Sequence, residues 1–438
     1  MKKFFYVLTS SISLIASIHA AHQDSYQNTP STHALYQAAC IVPVTNIFKI
    51  SLSKTFPEVS PEEIIFTYQY QPHSAHDIKD LYRIRQLLFN EQVQVLEELD
   101  QELYISCYAP GTLKNSTTIE PLTGWVLKQD FVSITGTINN AIPVQLYYTP
   151  HQKTPEELKQ ITQHIITLIT PVRITCYDRS FTFSAGTRFV LHDSDDTDYI
   201  IMFYDKKTNC VIHTPLAKDL AIFDTPRTLN NKQRIFLEAA RNMCQAHATC
   251  PTVWGGSSYV HPVTTPTDFT DQLRIALDEK FYEMYERPEK PATGCDMSGM
   301  LFLLNKIAGL RFFAQNSRDI YQLLPAKNFS DHIEESESLL LTPGDLIVAK
   351  GYIGILSGDN AVIETRSYEH HDGISRNTPL NTTFENITSY QELVEAYTEQ
   401  KPLILLGRDN KKIGELTPWK LVDFKTLDTP MTEYMQEK

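Results

Sequence analysis

Seven cysteines (Cys40, Cys107, Cys176, Cys210, Cys244, Cys250 and Cys295) and the pair His370-His371 are the side chains of this sequence from which nucleophilic chemistry would be built. A thiolate attacks, and a histidine within hydrogen-bond reach takes and returns the proton. No Cys-x-x-Cys pair or His-rich ligand set accompanies them, so neither a metal held by cysteine nor a cofactor is expected. Seven is an odd number, so in an oxidising compartment at least one cysteine has no partner within the chain. Cys107, Cys176 and Cys210 fall in strand-like runs and are expected to be buried as small hydrophobes.

The elements that must position such groups follow from periodicity. After Cys40, short alternating runs predict strands at 41–44, 93–96, 103–107 and 124–126, with a polar insertion from Pro57 to Asp80. A helix-like stretch at 155–169 precedes a second strand set at 172–176, 188–191, 199–204 and 211–213. Short strands at this spacing predict small barrels. Near residue 225 the period changes to 3.6, with Ile235, Leu237, Ala239, Ala240 and Met243 on one helix face. An apolar helix at 299–309 and strands at 345–348, 352–355, 361–363 and 403–406 follow, which is an α+β layout with helices before an antiparallel sheet.

Composition sets the class. The chain has 438 residues, 42% hydrophobic and 21% charged, enough for several folded domains with real cores. Its formal charge of -13 provides no basic footprint for a polyanion, so nucleic acid is not an expected partner. Met1-Lys2-Lys3, the apolar run from Phe4 and the small residues to Ala20-Ala21 match a secretory signal cleaved near Ala20. No later segment is long and apolar enough to span a bilayer. The expected protein is exported, to the periplasm or beyond. Its oligomeric state is not legible in the sequence.

Four short motifs stand in a telling order: Val253-Trp254-Gly255-Gly256, Asp296-Met297-Ser298-Gly299 at a helix start, Pro343-Gly344-Asp345-Leu346, and Gly351-Tyr352-Ile353-Gly354-Ile355. Together, over residues 226–410, they resemble the NlpC/P60 family of papain-like cysteine peptidases that cut peptidoglycan stem peptides. The upstream strands look like two bacterial SH3-type barrels. The residues themselves divide off a signal peptide at 1–20, a flexible polar leader at 21–39 and a polar tail at 411–438 expected to be ordered only in part, and the resemblance implies barrels at 40–150 and 151–225 and the peptidase-like domain at 226–410.

The same resemblance implies where the catalytic groups should be. The nucleophile slot holds Met297, whose thioether has no ionisable proton. The base slot holds Tyr352, a phenol with an ordinary pKa of about 10, and the third slot holds Glu364. Thr252 stands where the family often has tyrosine. The resemblance therefore implies a catalytically inactive relative that binds peptidoglycan stem peptides, wall polymer or a partner wall enzyme, with Thr252, Trp254, Asp296, Ser298, Tyr352 and Glu364 as the binding residues. Two other readings stand beside it. One is an active γ-D-glutamyl-diaminopimelate peptidase using displaced Cys295 with His370 or His371. Two residues of extended chain would shift that thiol by about 6–7 Å, against the roughly 3–4 Å approach catalysis needs. The other is a structural envelope protein. A plain role for Cys295 is a disulfide, to Cys250 or Cys244. The helix expected at 273–284 would act as a lid or a surface helix.

Overall fold

The computed structural model describes residues 34–55, 57–58, 60–61, 83–108, 112–115, 118–143, 155–176, 179–245, 250, 252, 256–260, 294–314, 316–329, 341–366, 374–407 and 410–436. The expected signal peptide, the predicted helix at 273–284, Trp254, His370, His371 and nearly all of the Pro57–Asp80 insertion lie outside these residues.

The first unit comprises β1 (Tyr36–Cys40), β2 (Val44–Phe48), α1 (Leu52–Thr55), β3 (Arg83–Leu88), β4 (Gln92–Glu98), β5 (Glu102–Cys107), a ribbon of β6 (Thr112–Asn115) and β7 (Thr118–Glu120), β8 (Thr123–Leu127) and β9 (Phe131–Ser133). The sheet runs β3-β2-β8-β5-β4-β1-β9. Val93 and Val95 of β4 are buried while Gln92 and Gln94 are only partly covered, the period-2 alternation of a sheet with one packed face. The leader expected at 21–39 is corrected here. Its end is strand β1, because Ala38 and Ala39 are buried between β4 and β9.

The second unit begins with α2 (Pro155–Thr162) and continues through β10 (Ile165–Leu168), β11 (Val172–Cys176), β12 (Arg179–Phe183), β13 (Arg188–Ser194), β14 (Asp198–Asp205), β15 (Cys210–Ala217) and β16 (Ala221–Phe223). The helix expected over 155–169 stops at Thr162, and Ile165–Leu168 instead becomes a fully buried strand between β13 and β16. Phe183 packs edge-on to Phe89 and to Phe189, each at 5.0 Å. Phe89 follows β3, so one ring of the first unit completes the second unit's core. Cys210 is exposed rather than buried, because it opens β15 opposite Asp205 at the mouth of a hairpin.

The C-terminal unit is a mixed helix and sheet structure: α3 (Leu229–Asn242), α4 (Met297–Ala308), α5 (Ser317–Leu323), β17 (Leu346–Ala349), β18 (Tyr352–Gly358), β19 (Ala361–Thr365), β20 (Ser375–Pro379), α6 (Leu380–Thr383), α7 (Tyr390–Thr398), β21 (Leu403–Leu406), β22 (Lys412–Leu416), β23 (Trp419–Val422) and α8 (Met431–Gln436). An antiparallel sheet, β20-β19-β18-β17-β23, carries a core on each face. Ile353, Ile355 and Ile363 join α3 and α4 on one side. Tyr352, Leu356 and Val362 meet Phe384, Leu393 and Trp419 on the other. The partly ordered tail expected at 411–438 is thus corrected. Residues 419–422 pair with β17 along its whole length, and Trp419, Leu421, Val422, Phe424 and Leu427 are buried.

The first unit docks on the C-terminal one through polar and charged contacts. Ser257 N–H and Ser258 Oγ donate to Gln86 Oε1 at 3.2 and 2.7 Å. Lys306 of α4 reaches Glu91 at 2.7 Å, with side chains only 1% and 9% exposed. Arg85 lies flat over Phe302 at 3.6 Å.

Candidate functional site

Helix α4 starts as its sequence dictates. Asp296 is the N-cap, its Oδ1 accepting from Gly299 N–H at 2.7 Å and from Ser298 Oγ at 2.8 Å. A Cβ on Gly299 would lie 1.7 Å from the Gly256 carbonyl oxygen, so only glycine admits the segment that runs beside the helix start. Asp296 and Ser298, both expected to bind substrate, are therefore engaged with each other and with the helix backbone.

Met297 occupies the first helical position, where a thiol would feel the helix dipole. Its Sδ accepts from Ile353 N–H at 3.2 Å, and its side chain packs against both cores of the C-terminal unit. The head of β18 therefore lies against the helix start. Tyr352 points to the sheet face opposite Ile353 and is 2% exposed. Its hydroxyl donates to Glu364 Oε2 at 2.8 Å, and its ring meets Phe384 edge-on at 6.0 Å. Burial, with the neighbouring Glu364 carboxylate, pushes the phenol well above its ordinary range.

Two arginines complete the group. Arg366 Nε lies 2.9 Å and Arg376 3.3 Å from Glu364 Oε1, and Arg366 also donates to the Leu406 carbonyl. Met297, Tyr352 and Glu364 are thus brought together, but Glu364 is 1% exposed and its oxygens are claimed from within. Arg366 and Arg376 were not anticipated from the sequence. Glu364-x-Arg366 was a local signal for the first, whereas Arg376 reaches Glu364 only because β20 pairs with β19 and sets the two opposite each other.

The displaced-nucleophile reading meets a different geometry. Cys295 is fully buried, bridged by its backbone to Ser257, and its Sγ donates to the Ser258 carbonyl at 3.3 Å. Burial, together with Cys250 alongside, pushes the thiol far above its usual value, the reverse of an activated nucleophile. The expected disulfide from Cys295 to Cys250 or Cys244 is not formed in this structure. Thr252 is half-buried, and its hydroxyl finds no hydrogen-bond partner.

Asp345 of the Pro-Gly-Asp-Leu motif is a structural knot. It accepts from Thr342 N–H and Phe424 N–H, each at 2.9 Å, and from Lys327 at 2.6 Å. Between β3 and the start of α4, a notch of about 10 Å³ lined by Arg85, Ser257, Asp296 and Ser298 has room for one water molecule. A far larger cavity, about 500 Å³, lies away from α4 where the first two units meet, lined by Tyr36, Asp100, Lys128, Phe131, Ser133 and Lys206.

No protein-family model matches the chain, and no curated protein matches it. Among solved structures it is similar to an NlpC/P60 family protein from Bacillus cereus, at 13% identity and a TM-score of 0.49, over 81% of this chain and 96% of that one. It is also similar to NlpC2 of Trichomonas vaginalis, at 11% identity and a TM-score of 0.28, over 79% and 93%. NlpC1 of the same organism matches at 11% identity and a TM-score of 0.26, over 81% and 91%.

Proposed function

We propose that this chain is an exported, cell-wall-associated NlpC/P60-like protein that has lost peptidase chemistry and works by binding. One observation carries the loss: a thioether heads α4, and the Tyr352–Glu364 pair beside it is sealed by two arginines. The polar groups at the helix start serve the fold, so the fold persists while no group there can attack an amide.

The binding arm rests on the N-terminal units, read as two SH3-like barrels. The 500 Å³ cavity, lined by the first unit with Lys206 of the second at its edge, is within the size range of small-molecule sites and mixes two aromatics, a carboxylate and two lysines. Such a lining suits a peptidoglycan stem peptide, wall polymer or a partner wall enzyme more readily than the sealed site at α4.

The test is to incubate the chain with L-Ala-γ-D-Glu-diaminopimelate and with purified peptidoglycan, following cleavage and binding together. No cleavage, with binding weakened by Lys128→Ala plus Lys206→Ala, is the expected result. Turnover that disappears on Cys295→Ala would overturn the loss of chemistry. Absence of binding to either ligand would overturn the wall-binding arm.

A further inference from the structure

Cys250 and Cys295 come from different parts of the C-terminal unit and converge on one oxygen. Cys295 Sγ donates to the Ser258 carbonyl at 3.3 Å and Cys250 Sγ to the same carbonyl at 3.9 Å, which brings the two sulfurs side by side. Both side chains are 0% exposed and belong to one core cluster with Tyr259. Their backbones are held independently. Cys250 N–H donates to Met243 O just past α3, its carbonyl accepts from Ser375 N–H of β20, and Cys295 pairs with Ser257.

We propose that Cys250 and Cys295 are a disulfide site, oxidised as the chain folds in the presence of a low-molecular-weight disulfide. The exchange has two steps. The Cys250 thiolate attacks one sulfur of oxidised glutathione, forming a mixed disulfide and expelling one glutathione thiolate. The Cys295 thiolate then attacks the Cys250 sulfur, closing the protein disulfide and expelling the second. The two protons lost by the cysteines end on the two glutathione thiols, so two electrons pass from the protein to the oxidant. Closing the bond costs the Ser258 carbonyl two weak S–H donors and little else. The bond ties the end of α3 to the residue that precedes the Asp296 cap. Its redox state thereby sets how firmly the start of α4 is held. Cys244 packs at the margin of the same cluster.

The experiment refolds the full chain in parallel in a glutathione redox buffer and in dithiothreitol. Free thiols are then blocked, peptides are mapped without reduction, and the thermal midpoint is measured. The expected map contains a linked peptide joining Cys250 to Cys295, lost in Cys250→Ser and in Cys295→Ser. The oxidised protein should melt roughly 5 °C or more above the reduced one. Recovery of both cysteines as blocked thiols from the oxidised sample, or a link from Cys250 to Cys244 in their place, overturns the assignment. Should either serine variant fail to fold, the wild-type map decides alone.

Discussion

The Tyr352 hydroxyl donates to Glu364 Oε2 across 2.8 Å, twelve residues along the chain and on the sheet face turned away from α3 and α4. Both groups are shut off from solvent, and Glu364 in turn holds two guanidinium groups. Buried charges tolerate the loss of a partner poorly. Glu364→Ala should therefore lower stability by about 3–5 kcal/mol, and Tyr352→Phe by about 1–3 kcal/mol, read as shifts in the urea midpoint.

The same phenol predicts an alkaline weakness. Its pKa is raised in the folded chain, so above the unfolded value of about 10 the native state binds more protons than the unfolded one, and stability falls as pH rises. Below that value its contribution is fully present. Tyr352→Phe should flatten the fall above pH 10, with Tyr36 and Tyr108, both pushed up to about 12, keeping part of it. An unchanged pH slope in the variant would count against the burial of Tyr352.

Thiol reactivity should follow exposure. Cys210 is exposed, whereas Cys40, Cys107, Cys250 and Cys295 are buried. A pulse of iodoacetamide on the native reduced chain should label Cys210 first and leave Cys295 unlabelled until denaturant is added. Rapid native labelling of Cys295 would revive it as a nucleophile.

Lys306 and Glu91 form a buried pair between α4 and the first unit. Burial raises the Glu91 carboxyl, but Lys306 and Arg85 outweigh it and hold the group below its ordinary value. The stability it supplies is present above the ordinary carboxyl range and lost as pH falls through the lowered value. Glu91→Ala alone should cost about 3–5 kcal/mol. Glu91→Leu with Lys306→Met should recover most of that loss, a non-additivity that a double-mutant cycle would measure.

Gly299→Ala tests the close passage of residue 256 over the helix start. The new methyl would fall 1.7 Å from a backbone oxygen, which no rotamer change relieves. The expected cost is about 3 kcal/mol or more, with the dock between Gln86 and Ser257–Ser258 loosened. Proteolysis near residue 257 should accelerate accordingly.

Much of this architecture was legible because its signals are local. The alternation of Val93 and Val95 gave a strand, the apolar run after Asp296 gave α4, and the motif order placed Met297 against the head of β18. The tail was misread because β23 is only four residues long and its partner, β17, lies some seventy residues earlier. Nothing in the local pattern of 412–422 announces such a partner. The burial of Tyr352 and Glu364 was likewise hidden, since it depends on Arg366, Arg376 and Phe384 closing over them. Lys306 is a lone charge in the apolar run 299–309, and only the dock with Glu91 shows why a buried lysine stands there.

The pairing of Trp419–Val422 with Leu346–Ala349 also bears on how the chain comes to be folded. The strand that completes the sheet follows its partner by some seventy residues. Until it emerges, β17 presents an unpaired edge whose residues, Leu346-Ile347-Val348-Ala349, are entirely apolar. The C-terminal unit therefore cannot close its sheet until residues 419–422 have been made and have paired. Until then it carries an open adhesive edge, a state that a chaperone can hold and that a neighbouring unfinished copy can join.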